Sequence, residues 1–201
     1  MSYRDTPKPD QEAQARAIAS VLGQDWTLAN RAPHDAEYTD WHLCHKDGYE
    51  LDLTWPTIWN NRPARLEIRG VWPIGKDNQV RLPSQTDRAG HKTMITVDQT
   101  RLAEAIAKDI TRRLLPSFLP LWERAKQLTE DGNRYIDQTE ATIRALVATG
   151  GRRSEHQNAV YFDETSYLYK ADVSGDSVRF ESISVPLAIA LRVIPAFNKP
   201  R

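Results

Sequence analysis

The sequence predicts an α+β fold: an antiparallel sheet covered by helices, a long central helical segment, and a smaller C-terminal helix–three-strand–helix unit. Three observations carry that expectation. Apolar and polar residues alternate with a period of two in short runs between Trp41 and Val97, the pattern of half-buried strands. Leu102, Ile106, Ile110 and Leu114 then recur every four residues, a helical spacing. Short apolar runs separated by turn residues return after the connector TGGRRSEHQ at 149–157.

Taken in order, residues 1–9 read as a disordered lead, and Asp10 caps a helix that runs to Leu22. Ala13, Ala17, Ile18 and Val21 form its apolar stripe, and Gly23 stops it. Trp26 to Arg31 is a short strand. WHLCHKDGYELDLTW, Trp41 to Trp55, is a β-hairpin. A two-residue Asp47-Gly48 turn would mix its faces. A three-residue loop, Lys46-Asp47-Gly48 with Gly48 left-handed, pairs Leu43 with Leu51 and Trp41 with Leu53. The same register sets Cys44 opposite Glu50 and His42 opposite Asp52, on the more polar face. ARLEIRGVW at 64–72 is the next strand, a long polar connection follows at 73–91, and Lys92 to Val97 returns as a strand.

Asp98 is the expected cap of the following helix, which Pro116 and Pro120 interrupt. Helical spacing resumes from Leu121 to about Ala148, with a weak point at Asp131-Gly132-Asn133 that leaves one or two helices open. Three strands follow, Ala159–Phe162, Tyr167–Val173 and Val178–Val185. A Gly175-Asp176 turn matches Val173 with Val178 and Ala171 with Phe180. Pro186 to Ile194 closes the chain as a short helix. The expected division is an N-terminal domain at 1–115, a helical segment at 116–149 and a small unit at 150–201. ITV before AIAKDI and ISV before AIALRVI give the two halves a faint echo, read either as a duplication or as the ordinary look of an amphipathic helix after a strand.

Composition excludes several function classes. Lys+Arg and Asp+Glu number 27 each, so the net charge is zero, which argues against a body that grips nucleic acid over its whole surface. A single cysteine forbids an internal disulfide and any zinc site built on two cysteines. The polar N-terminus lacks a signal-peptide core, and no apolar run approaches the ~18 residues of a membrane span. The expectation is a cytoplasmic protein without membrane partners. No P-loop, GxGxxG, GxSxG or HExxH motif occurs. His42 and Cys44 share a strand face but stand roughly 7 Å apart by strand rise, too far for direct proton transfer. With Asp52 they form an incomplete ligand set, so no catalytic residue, metal or cofactor is expected.

Charge is unevenly spread along the chain. Residues 31–61 carry two basic and six acidic side chains, whereas 62–92 carry seven basic and three acidic. Arg62, Arg65, Arg69, Lys76 and Arg81 follow Trp55 and Trp59 and surround Trp72. These eight residues, Trp55, Trp59, Arg62, Arg65, Arg69, Trp72, Lys76 and Arg81, are the predicted partner-binding surface. Three readings of that composition stand: tryptophans in a core coated by arginines, a protein interface rich in Trp and Arg, or a stacking surface for single-stranded nucleic acid.

RLEIRGVWP, the polar loop and ITVDQTRLAEAIAKDITRRLLPSFLPLWERA resemble uncharacterised accessory proteins of bacterial plasmids and phages, over roughly residues 10–135. The resemblance rests on arrangement and carries no functional motif, so it transfers no site residue. It implies a non-enzymatic mobile-element protein of the anti-CRISPR or anti-restriction type, which binds and inhibits a host defence protein or nucleoprotein complex. A nucleic-acid-binding accessory protein is the alternative expectation.

Overall fold

The computed structural model describes residues 10–30, 41–55, 65–155, 157–162, 170–180 and 183–197. They fall into two units, one formed by 1–74 with 80–129 and the other by 75–79 with 130–201. The boundary lies inside a helix, where the sequence suggested a separate segment at 116–149.

In the first unit, α1 (Gln11–Leu22) starts where the Asp10 carboxylate accepts the Ala13 N–H at 3.1 Å, and it ends at Gly23, whose φ is 115°. Its buried residues are Ala15, Ile18 and Ala19, with Leu22 packed beside them. The expected stripe was one step out of phase, and of its members only Ile18 is buried. Alanines carry too little apolar weight to fix the phase, so the large residues Ile18 and Leu22 decide which face turns inward.

Strands β1 (Trp26–Asn30), β2 (Trp41–His45), β3 (Glu50–Thr54), β4 (Arg65–Val71) and β5 (Met94–Asp98) form one antiparallel sheet in sequence order. The β2–β3 register is the one the apolar pattern required: Leu43 faces Leu51, Trp41 faces Leu53, His42 faces Asp52 and Cys44 faces Glu50. The His45 N–H donates to the Tyr49 carbonyl at 2.9 Å across the loop, and Gly48 has a φ of 91°. One face of the sheet contributes Leu43, Leu51, Leu53, Leu66, Ile68, Ile95 and Val97 to the core. The 73–91 connection is more ordered than its composition suggested. It holds an Ile74–Val80 bridge and a helical turn, α2 (Gln85–Arg88), started by a reciprocal Ser84–Asp87 capping box.

Asp98 does not cap the following helix. Its carboxylate accepts from the Thr100 backbone N–H and hydroxyl, and α3 (Ala103–Asp109) begins after Leu102, which is 76 % exposed. Nor do the prolines break the helix. A proline at 116 cannot donate to the carbonyl four residues back, and its ring would collide with that carbonyl. Residues Ile110–Leu114 widen into a π turn, in which the Leu115 N–H reaches the Ile110 carbonyl five residues back. That wide turn accommodates the Pro116 ring, and α4 (Leu115–Ala148) continues through Pro120 and Gly132. Ile106, Ile110, Leu114, Phe118 and Trp122 from this run complete the first core. Phe118 lies so close to β4 that a Cβ on Gly70 would meet its ring.

In the second unit, β6 (Arg152–Arg153), β7 (Ala159–Tyr161), β8 (Lys170–Ser174), β9 (Ser177–Phe180) and β10 (Ile183–Pro186) form another antiparallel sheet in sequence order, before α5 (Leu187–Phe197). The sheet has five strands rather than the expected three. Arg152–Arg153 pairs with Val160 and Tyr161, and the run read as Val178–Val185 is divided between β9 and β10. The Gly175 turn matches Val173 with Val178 and Ala171 with Phe180, as the alternation required. Two buried threonines of α4 hold this turn: Thr139 Oγ1 accepts the Gly175 N–H at 3.0 Å, and the Thr142 hydroxyl donates to the Gly175 carbonyl at 2.8 Å. Ile143, Leu146, Val160, Ala171, Val173, Val178 and Ala190 form the core. No helix among the described residues is long and apolar enough to cross a membrane.

Candidate functional site

The β2–β3 hairpin organises its residues differently from a metal or thiol centre. His42 is buried, although the register sets it on the more polar face of the hairpin. Its Nδ1 lies 2.5 Å from Asp52 Oδ1, a contact that is an ion pair when the imidazole is protonated. Cys44 is half-buried and sits between Thr27 and Glu50 in the cross-strand rows. Among the described residues, no group of three histidine, cysteine or carboxylate side chains is placed to hold a metal.

At the turn end, His45 stacks on Tyr49 with ring centroids 4.3 Å apart, and Trp26 meets both rings edge-on. Tyr49 also meets Trp122 edge-on. Burial, reinforced by the negative charges of Asp47 and Asp25, holds the Tyr49 hydroxyl above the ordinary tyrosine range. This cluster closes the end of the core.

The predicted partner-binding residues separate into five situations. Trp55 is buried, and its indole N–H donates to Gln14 Oε1 at 3.1 Å, so it joins the end of the central strand β3 to α1 from inside the core. That corrects its assignment to a surface: its position beside the apolar face of β3 draws it inward. Trp72 is half-buried, packed edge-on against Phe118 at 5.3 Å. Lys76 belongs to the second unit, where its N–H donates to Asn133 Oδ1 at 2.8 Å and its ammonium pairs with Asp137 at 2.6 Å. Arg81 is half-buried. Trp59 and Arg62 lie outside the described residues.

Arg65 and Arg69 remain together as exposed side chains on the outward face of β4, two residues either side of Glu67. The Arg69 guanidinium pairs with Glu67 and faces Asp52 in the register with β3. Arg65 faces Asp98 on β5. The Asp98 carboxyl is held below the usual range chiefly by the Thr100 N–H and hydroxyl, with Arg65 and Arg101 adding their charge. The acidic and basic stretches of the sequence thus become neighbouring strands, so the linear dipole becomes a mixed row of charges across one sheet face.

A second arrangement was not foreseen. The loop end Gly90–His91–Lys92 and the helix residues Arg112, Arg113, Pro116 and Ser117 line a shallow, wide-open cavity in the first unit. Ser117 joins the two walls. Its carbonyl lies 2.9 Å from His91 Nδ1, and its hydroxyl accepts the Lys92 N–H at 2.6 Å. A carbonyl only accepts, so His91 carries a proton on Nδ1 and turns its other nitrogen away from this contact. Arg113 is anchored by Asp109 at 3.3 Å. Burial alone would raise the Asp109 carboxyl, but the hydrogen bonds and charges of Arg101 and Arg113 prevail and hold it below its ordinary value. Among the described residues, no carboxylate lines the cavity. The sequence signal was a dibasic pair just before a proline, TRRLLP, which without the loop beside it reads as a solvated helix face.

No family model matches the chain, and neither does any curated protein or solved structure.

Proposed function

We propose that this chain acts by binding, as a cytoplasmic mobile-element accessory protein that inhibits a host defence nucleoprotein complex. The observation that carries the reading is the outward face of β4, where Arg65 and Arg69 stand exposed on a rigid antiparallel sheet. Arginine on a preorganised surface suits a protein contact, because its planar fork loses little freedom on pairing with a carboxylate or phosphate. Interleaved Glu67 and Asp52 give the face a specific charge pattern, which favours selectivity over general adhesion to polyanions. The resemblance to plasmid and phage accessory proteins supplies the biological setting.

The test is inhibition of target-DNA cleavage by purified CRISPR effectors and restriction enzymes, with the native chain and with Arg65→Glu/Arg69→Glu. Inhibition of one such nuclease by the native chain is expected. The double variant should weaken it by at least ~30-fold, the loss of one interface hot spot of about 2 kcal/mol, with its melting temperature retained. Equal inhibition by the variant removes this face from the reading. The alternative, a nucleic-acid-binding accessory protein, is favoured by the basic cavity beside Arg112. It predicts affinity that falls steeply with salt.

A further inference from the structure

Two aspartates of the chain are followed directly by glycine, Asp47 before Gly48 and Asp131 before Gly132. In such a pair the backbone nitrogen of the second residue can add to the side-chain carboxyl carbon of the first. Glycine hinders this least, because it has no Cβ to crowd the nitrogen and moves through backbone angles closed to other residues. Both pairs start with the same intrinsic reactivity, and the fold decides which of them can react.

The fold treats them oppositely. Asp131 and Gly132 lie inside α4. A helix commits each N–H to the carbonyl four residues back and fixes the backbone angles cooperatively. The Asp131 carboxylate also pairs with Arg134 at 3.4 Å. Ring closure there requires the helix to open. Asp47 and Gly48 instead occupy the loop between β2 and β3, and both are exposed. A Cβ built on Gly48 would meet no atom within 4 Å, so the nitrogen is approached through open space. The Gly48 N–H makes a turn bond to the His45 carbonyl at 2.8 Å. The Asp47 side chain is 63 % exposed, with His45 Nδ1 3.4 Å from its carboxylate. A turn bond at an exposed hairpin end opens locally, without unfolding either strand.

We infer that Asp47–Gly48 is a site of spontaneous backbone rearrangement, and that Asp131–Gly132 is protected from it while the chain is folded. The Gly48 nitrogen bonds to Asp47 Cγ. The amide proton and the carboxyl hydroxyl leave as water, and a succinimide ring results. A water molecule then re-opens the ring at either carbonyl, so no oxidant, reductant or cofactor takes part. Opening at the main-chain carbonyl leaves an isoaspartyl link, in which the backbone runs through the side-chain carbon and the α-carboxylate is free. That link lengthens the loop that sets the β2–β3 register. It acts directly on the bond from the His45 N–H to the Tyr49 carbonyl and on the His45–Tyr49 stack.

The test is to age the chain in neutral buffer, folded and in concentrated guanidinium chloride. Isoaspartate is then located by enzymatic methylation of isoaspartyl carboxylates and peptide mass spectrometry. In the folded chain, label at Asp47 should exceed label at Asp131 by roughly tenfold or more, the effect of a barrier difference of about 1.4 kcal/mol. In denaturant the two sites should label alike, which shows that the fold makes the choice. Ageing in heavy-oxygen water should place solvent oxygen at Asp47, as ring opening requires. Asp47→Glu, which would have to close a larger ring, should lose the label at this loop and keep the native melting temperature. No label at Asp47 in the folded chain, equal labelling of Asp47 and Asp131 there, or undiminished label in Asp47→Glu overturns the inference.

Discussion

The two units solve the same topological problem with different materials. Each runs helix, five antiparallel strands in sequence order, helix: α1, β1–β5 and α3 in the first, α4, β6–β10 and α5 in the second. The first fills its core with Trp26, Trp55, Trp122, Phe118 and a layer of leucines and isoleucines. Among the described residues, the second buries Val160, Val173, Val178 and two alanines, with Ile143 and Leu146 as the largest fully buried side chains and Phe162, Phe180, Leu187 and Leu191 packed against them. Its described buried side chains are smaller than the tryptophans and phenylalanine of the first core. It adds polar anchors instead, the Thr139 and Thr142 clamp on the Gly175 turn. The same order of elements is therefore packed with different described side chains, aromatic and large aliphatic in the first unit, small aliphatic beside a threonine clamp in the second.

The comparison is broken hardest by deleting the largest groups. Phe118→Ala should destabilise the first unit by about 3–5 kcal/mol, and Leu146→Ala the second by about 2–5 kcal/mol. Hydrogen exchange locates each effect. Phe118→Ala should release the amides of β3, β4 and β5, and Leu146→Ala those of β7, β8 and β9. Release of the same amides by both variants would show that the two cores do not behave as separate units.

A smaller effect sharpens the contrast. Thr142→Val keeps the shape but leaves the buried Gly175 carbonyl without its donor, which should cost the second unit about 1–3 kcal/mol. Urea denaturation followed through Tyr135, whose hydroxyl contacts Ser174, reads this directly. A change under ~0.3 kcal/mol would mean that the clamp contributes nothing beyond packing.

The smallest effect depends on pH. The Arg153 hydrogen bonds hold the Glu140 carboxyl below its ordinary value, against a weaker opposing effect of burial. A depressed carboxylate adds stability above its unfolded pKa of about 4.3 and loses it as pH falls through the lower folded value. Both side chains are well exposed, so screening limits Glu140→Gln to less than about 1 kcal/mol near neutrality. The difference from the native chain should shrink below about pH 4, and a difference that grows with acid would reverse the sign argued here.

What the sequence disclosed follows the strength of its local constraints. Gly48 and Gly175 each sit between alternating runs, and a one-residue slip would have turned every apolar side chain outward, so both hairpin registers were readable. Pro116 misled because its local rule, helix interruption, was overridden by a π turn that leaves no mark in composition. Arg152 and Arg153 looked like a solvated linker, since a two-residue strand has no alternation to detect. Trp55 looked like surface because it followed a strand near a charged stretch, and only the Gln14 partner on a distant helix shows it to be interior. The basic cavity was the least legible feature. Its walls, Gly90–Lys92 and Arg112–Ser117, are separated in sequence and meet only through Ser117.

The central claim is that this chain works by gripping a macromolecular partner through its first unit. Affinity capture from bacteria with active defence systems, with and without nuclease, tests it most directly when run on the native chain and on Arg65→Glu/Arg69→Glu. The account predicts a stoichiometric defence-complex protein that survives nuclease and is lost with the double variant. Recovery of no defence protein, or undiminished recovery by the variant, would contradict it.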